Sequence, residues 1–366
     1  MINLNPETLV SAIICVNFFS IGLYTFLIRQ NRSKTASLFL LSFCISLGLN
    51  QLYDLLVFNG VYGNYFRFLD EFSLLIAFSS LYFYIASLTQ NLFRFQKKHI
   101  VHLIPILIFL LIWVFPLPII EQYHNISFLR ILYKYYNNIQ GIIYVFLING
   151  LVNQHQQILK DLTSTAREND LNWVRIMVIL LLIVIVFWTL SGFEKDWLNL
   201  TGYSLLIFSY WLGYHIIAQK GIYRSMLPEL EVAELKQREK RYKNSTLSVL
   251  EKSEMVEHVK HLMETEKPYL NNELTLTSLA DRLQMKPIHL SQVLNEEFKE
   301  NFYSFINRYR VNESKKMLLE SRYSHYNILG IALESGFNSK TTFNKAFKEN
   351  TGISPSEFQR TSTRAS

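Results

Sequence analysis

Near the C-terminus, the stretch IALESGFNSKTTFNKAFKENTGISPSEF covers residues 331 to 358. It places Lys340, Thr341, Asn344, Lys345 and Lys348 at helical spacing on one side of a short segment, with Phe343 and Phe347 on the other. Cationic and amide side chains on one helical face are suited to hydrogen-bonding base edges and holding phosphate oxygens in a duplex groove. Taken alone, such a face is better accounted for as an ordinary solvated surface. Nothing else in the chain offers competing chemistry. There is no glycine-rich phosphate loop and no Ser/His/Asp set, so catalysis and nucleotide binding are not expected. His102 and His155 lie near the cytoplasmic ends of apolar segments, and neither a metal nor a cofactor is expected.

The elements needed to hold that face can be read from its flanks. Ile331 and Ala332 are expected to face a core, and Gly336 to end a first helix in the left-handed conformation. Asn338 or Ser339 would then cap the next helix. A similar unit lies upstream in LTLTSLADRLQMKPIHLSQVLNEEF, residues 274 to 298. There Leu279, Ala280 and Leu283 form one buried stripe, and Leu290, Val293 and Leu294 form another after a tight turn. Ala280 allows the two helices to cross closely, and Pro287 suits the first turn of the second. Between the units, NFYSFINRYRVNESKKMLLES presents Phe302, Phe305, Ile306, Tyr309, Met317 and Leu318 as one apolar helical face.

Two such units joined by one helix resemble the AraC/XylS family of bacterial transcription regulators. The residues that carry the resemblance in the second unit are Ile331-Ala332, Gly336-Phe337, Ser339, Phe343, Phe347-Lys348, Gly352, Pro355 and Phe358. In the first they are Leu279-Ala280, Leu290-Ser291 and Phe298, and the whole likeness covers roughly residues 250 to 362. It implies an all-helical domain on double-stranded DNA, with two recognition helices in successive major grooves about 34 Å apart. It also implies contact with RNA polymerase. By the same resemblance, the DNA-facing positions are Ile288, His289, Ser291, Gln292 and Asn295 in the first unit, and Lys340, Thr341, Asn344 and Lys345 in the second, with Lys348 beside them. The first unit departs from the family pattern: Gln284 stands where a turn glycine is common and Lys286 where a capping serine is common. Its recognition face carries no Lys or Arg, whereas from Lys340 onward five basic residues face two acidic ones. Most electrostatic affinity is therefore expected from the second unit.

The rest of the chain is of another character. Of 366 residues, 50% are hydrophobic and only 18% charged, with a net charge of +7. Seven apolar segments approach the roughly 20 residues that a bilayer core requires. They run approximately 8–28, 36–58, 68–90, 99–118, 138–157, 171–190 and 197–217. Cys15 and Cys44 fall inside them, where packing is the expected role. The N-terminal stretch MINLNPETLV lacks a positive n-region and reads as an uncleaved membrane segment. Alternate loops hold eleven Lys/Arg against four. That bias places the N-terminus outside and the C-terminal domain in the cytoplasm of a bacterium's inner membrane.

Asp54, Asp70 and Glu71, at the outer ends of the second and third segments, suit an outward ligand-sensing pocket or the wet headgroup layer. Asn50, Gln51, Asn149 and Asn153 are expected to hydrogen-bond between helices. Residues 221–250 read as a connector: Pro228 opens a helix whose acidic residues come early and basic ones late, suited to transmission or to homodimer pairing. A solvated spacer fits as well.

The expected fold is all-α. A seven-helix transmembrane sensor or anchor (1–220) precedes the connector and a soluble domain (251–366) with two helix-turn-helix units. The expected function is a membrane-anchored, one-component transcription regulator. The alternative is a membrane receptor or transporter-like protein whose cytoplasmic helical domain binds a protein partner. Steep salt dependence would separate DNA binding from an apolar protein contact.

Overall fold

In this computed structural model, residues 5–28, 34–60, 64–89, 93, 95–114, 127–164, 171–191, 196–218 and 248–363 are described. They are almost wholly helical, and the one extended contact among them is an isolated antiparallel bridge, Thr163 to Thr275. The chain divides into two units. One comprises residues 1–153 with 171–224, and the other residues 154–170 with 225–366. The expected domain therefore gains a segment from far upstream, residues 154–170, which sequence periodicity assigned to the end of a membrane span and the loop after it.

The first unit contains α1 (Pro6–Leu27), α2 (Lys34–Phe58), α3 (Asn64–Thr89), α4 (Ile104–Val114), most of α5 (Ser127–Leu162), α6 (Asn172–Ser191) and α7 (Asp196–Ala218). A 3₁₀ turn, Lys97–Leu103, leads into α4. Helix α1 starts where Asn5 accepts a hydrogen bond from the Thr8 amide at 2.9 Å, just before Pro6. Ile14, Phe18, Leu40, Phe43, Leu81, Ile148, Val174 and Phe208 lie in its core. Phe18, Phe43 and Phe208 meet there with ring centres 6.3–6.4 Å apart. A side chain at Gly141 would run into the Phe78 ring and Ile185, so α5 approaches its neighbours closely at that point.

Large aliphatic and aromatic side chains also line the outside. Val16, Leu23, Phe146 and Ile207 are 57–71% exposed. Water penalises such a surface, while hydrocarbon does not.

Among the described residues, four helices are long and apolar enough to cross a membrane, not seven: Pro6–Leu27, Lys34–Phe58, Phe72–Thr89 and Asn172–Ser191. The other three expected spans fall short for identifiable reasons. Helix α4 is described over only 11 residues, a rise of about 16 Å. Helix α5 carries Lys134, Asn137, Asn138, Gln140, Asn149 and Asn153 along its length. Helix α7 mixes Asn199, Thr201, Ser204 and several tyrosines into its apolar run. Most of the expected connector, together with the homodimer pairing assigned to it, lies outside the described residues.

The second unit contains α8 (Val249–Thr265), α9 (Leu276–Arg282), α10 (Pro287–Glu296), α11 (Phe302–Leu319), α12 (Ile328–Glu334), α13 (Lys340–Thr351) and α14 (Pro355–Thr363). It has two cores. Leu276, Leu279, Ala280, Leu290, Leu294, Phe302 and Phe305 belong to the first, and Val311, Ile331, Ala332, Phe337, Phe343 and Phe347 to the second. Helix α11 supplies residues to both, as its apolar face leads one to expect.

Candidate nucleic-acid interface

The second helix-turn-helix is assembled from local signals. Asn327 caps α12 by accepting from the Gly330 amide at 2.8 Å. After Ser335 the chain turns back at Gly336, φ +90°, and the Phe337 amide donates to the Ala332 carbonyl at 2.9 Å. Ser339 then caps α13, accepting from the Thr342 amide at 3.3 Å. Phe343, Ala346 and Phe347 are buried, and burying each phenyl ring is worth about 1.5–3 kcal/mol. The opposite face presents Lys340, Thr341, Lys345 and Lys348 exposed and Asn344 half-buried. Lys345 makes a loose pair with Glu349 at 3.9 Å, both largely exposed, which a phosphate could displace.

The first unit reaches the same shape with weaker local signals. Thr275 and Ser278 form a capping box at the start of α9. The turn passes through Gln284, left-handed at φ 54°, and Lys286 sits at the N-cap of α10 without a side-chain hydrogen bond. Pro287 occupies the first turn, as expected. Leu290, Val293 and Leu294 are fully buried.

On the outer side Ile288, His289 and Gln292 are half-buried and Asn295 is exposed. Ser291 is buried, and Asn295 donates to its carbonyl at 2.8 Å. Gln292 donates to Glu296 at 3.1 Å, and Glu296 in turn accepts from Lys252 on α8. The Lys252 hydrogen bond holds the Glu296 carboxyl below its usual range. The face of α10 is thus made of amides and an imidazole, that of α13 of ammonium groups.

Two supports went unread in the sequence. Helix α8 opens with a capping box, Ser248 with Glu251, a signal present in the text SVLE. The other is Arg310 on α11, buried with 1% of its surface exposed. Burial pushes its guanidinium down to about 10, still protonated at neutral pH. Its Nε donates to the Tyr269 carbonyl at 2.7 Å and its Nη2 to the Asn271 carbonyl at 2.8 Å, and it lies 5.8 Å from the centre of the Phe337 ring. One side chain thereby touches residues of both cores.

In the apolar unit, Asp54 is half-buried and accepts from Gln51 Nε2 at 3.0 Å. Asp70 and Glu71 fall within α3, but their side chains lie outside the described part of the structure. Among the described residues, Gln51 bonds to Asn50 and Asp54 of its own helix. Asn153 does bond across helices, accepting from Arg175 at 2.8 Å.

Residues 279–361 match the family model described as a helix-turn-helix domain. The C-terminal part of the chain is an AraC-type helix-turn-helix domain. That family is a class of DNA-binding transcription regulators without enzymatic activity. An HTH-type transcriptional regulator of Staphylococcus aureus (strain COL) is 29% identical over 91 residues, 25% of this chain and 12% of that protein. One of Mycobacterium tuberculosis (strain ATCC 25618 / H37Rv) is 29% identical over 82 residues, 22% of this chain and 30% of that protein. The chain therefore spans under a third of either relative. Among solved structures, the C-terminal domain of AraT, a response regulator from Geobacillus stearothermophilus, is 26% identical. It covers 32% of this chain and 88% of its own, with a TM-score of 0.26. In the AraC-type domain, the matched residues include both α10 and α13, and so all the candidate DNA-facing positions.

Proposed function

We propose that the protein is a membrane-anchored, one-component transcription regulator that binds specific DNA sequences through both helix-turn-helix units. The reading rests on the α13 face: Lys340, Thr341, Lys345 and Lys348 are turned to solvent over a core of Phe343 and Phe347, within a domain of a DNA-binding family. In this reading α13 supplies phosphate contacts and, through Asn344, base contacts. Helix α10 adds His289, Gln292 and Asn295 at a second groove.

Anchoring is supported by four membrane-length helices and by the exposed aliphatic surface around them. The excess of Lys and Arg in alternate loops favours a bacterial inner membrane with the AraC-type domain on the cytoplasmic side. A stimulus sensed by the apolar unit would act only by interacting differently with two of its states.

The test uses the full chain in lipid nanodiscs, because residues 154–170 belong to the same unit as the DNA-binding helices. Genomic fragments of its own organism are selected against excess random DNA at two salt concentrations. Recovery of a few discrete loci is expected, weakened by salt and lost in the N344A/K345A variant. Uniform or absent recovery by folded protein would reject the reading and bring the protein-partner alternative forward.

A further inference from the structure

Residues 158–164, the end of α5 and the two residues after it, pack into the first core of the DNA-binding unit. Leu162 is 1% exposed within that core, and Ile158 packs against it. Thr163 forms the antiparallel bridge to Thr275, the capping residue of α9. The Ser164 hydroxyl, also 1% exposed, donates to the Leu274 carbonyl at 2.7 Å. Arg310 closes the arrangement: its Nη1 donates to the Ser164 carbonyl at 3.3 Å and its Nη2 to the Ser164 hydroxyl at 3.1 Å.

Arg310 is also the side chain that touches both cores, so Ser164 reaches the joint between the two helix-turn-helix units through it. The segment covers none of the exposed positions on α13. A steric block of that DNA-facing surface is therefore not its role.

We propose that residues 158–164 are a positioning brace, which sets the two recognition helices relative to each other through Ser164 and Arg310. The inference rests on the DNA-binding reading above. Helix α5 is unbroken from residue 127 to 162, and its residues up to 153 belong to the apolar unit. The brace is thus a covalent route by which a change in that unit reaches the DNA-binding helices. Undocking of the segment would leave Arg310 Nη1 without the one protein acceptor it has among the described residues, the Ser164 carbonyl, whereas loss of the Ser164 hydroxyl alone removes the bonds to Arg310 Nη2 and the Leu274 carbonyl.

The full chain in nanodiscs is titrated with two DNAs: an operator recovered in the selection above, and the same DNA carrying only the half bound by the second unit. L162D, which cannot keep residue 162 in the core, is expected to weaken binding to the full operator at least tenfold. Binding to the half-site should stay within twofold of the unaltered protein. A merely structural role would instead lower both affinities together.

Amide hydrogen exchange is followed alongside. Slow exchange is expected at residues 158–164 in the unaltered protein and lost in L162D, with residues 343–347 protected in both. Should L162D lose protection at 343–347, S164A takes its place, with at least a threefold loss expected on the full operator alone. Equal effects on both DNAs, or full-operator affinity unchanged within twofold, would overturn the brace, as would rapid exchange at 158–164 in the unaltered protein. If the unaltered protein binds neither DNA, the DNA-binding reading fails and the positioning role fails with it, while the exchange pattern still reports whether the segment docks.

Discussion

The two helix-turn-helix units have the same shape and reach it by different means. In the second, each step has a residue suited to it: Asn327 and Ser339 as caps, Gly336 at φ +90° and Phe343 with Phe347 as the packed face. In the first, the turn is held by Gln284 at φ 54° and the recognition helix starts at Lys286 without a side-chain cap. What the first unit lacks locally it receives from elsewhere. Lys252 on α8 pairs with Glu296, and Leu162 of α5 fills the core beneath α9 and α10. The contrast teaches that one unit is self-specified and carries the charge, while the other depends on its scaffold and is therefore the one a distant change can reach.

The sharpest way to break the comparison is at Gly336. A β-carbon there would collide with the Tyr269 carbonyl and come within 3.0 Å of Arg310 Nε, at a φ that side chains rarely adopt. G336A is expected to cost about 3 kcal/mol, read as a lower unfolding midpoint of the DNA-binding unit. Removing a cap is milder. S339A should cost about 1 kcal/mol, and K286A close to nothing, because Lys286 makes no capping bond to lose. In the opposite direction, K286S supplies the missing cap and Q284G relieves the left-handed turn. Each is expected to stabilise by about 0.5 kcal/mol in the same unfolding measurement.

The smallest effect concerns pH. Burial pushes the Glu313 carboxyl up, but the hydrogen bond and charge of Lys267, the charge of Lys316 and the Tyr269 hydroxyl together leave it below its ordinary range. A lowered carboxyl contributes stability above its unfolded pKa, about 4.3, and loses it as pH falls through the folded value. E313Q should therefore flatten the acid limb of the stability curve below about pH 4.5. An unchanged acid limb would mean that this ion pair contributes nothing.

The legible and illegible parts of the molecule divide by range. Helix-turn-helix features were readable because caps, turn glycine and packed phenyl rings are signals within a few residues. Ser339, Gly336 and Pro287 stand where those rules put them. Arg310 could not be read so. Its partners, Tyr269, Asn271 and Ser164, are 39 to 146 positions away, and an arginine in an amphipathic helix looks solvated until the fold buries it. Span counting failed for a related reason: α5 is long and helical, but its amides make contacts that hydropathy alone does not foresee, as where Asn138 donates to the Thr189 hydroxyl at 2.6 Å. Ser291, assigned to the DNA-facing set by family position, lies buried in α10 beneath Asn295.

The most direct test of this division of labour is the salt dependence of operator binding by the full chain. Each phosphate neutralised contributes about −0.9 to the slope of log affinity against log salt. K340A/K345A/K348A is expected to flatten that slope by about 2 or more. Q292A/N295A should leave the slope unchanged while relaxing sequence preference at one half-site. Equal slopes in both variants, or binding by the unaltered protein that salt does not weaken, would contradict that division of labour.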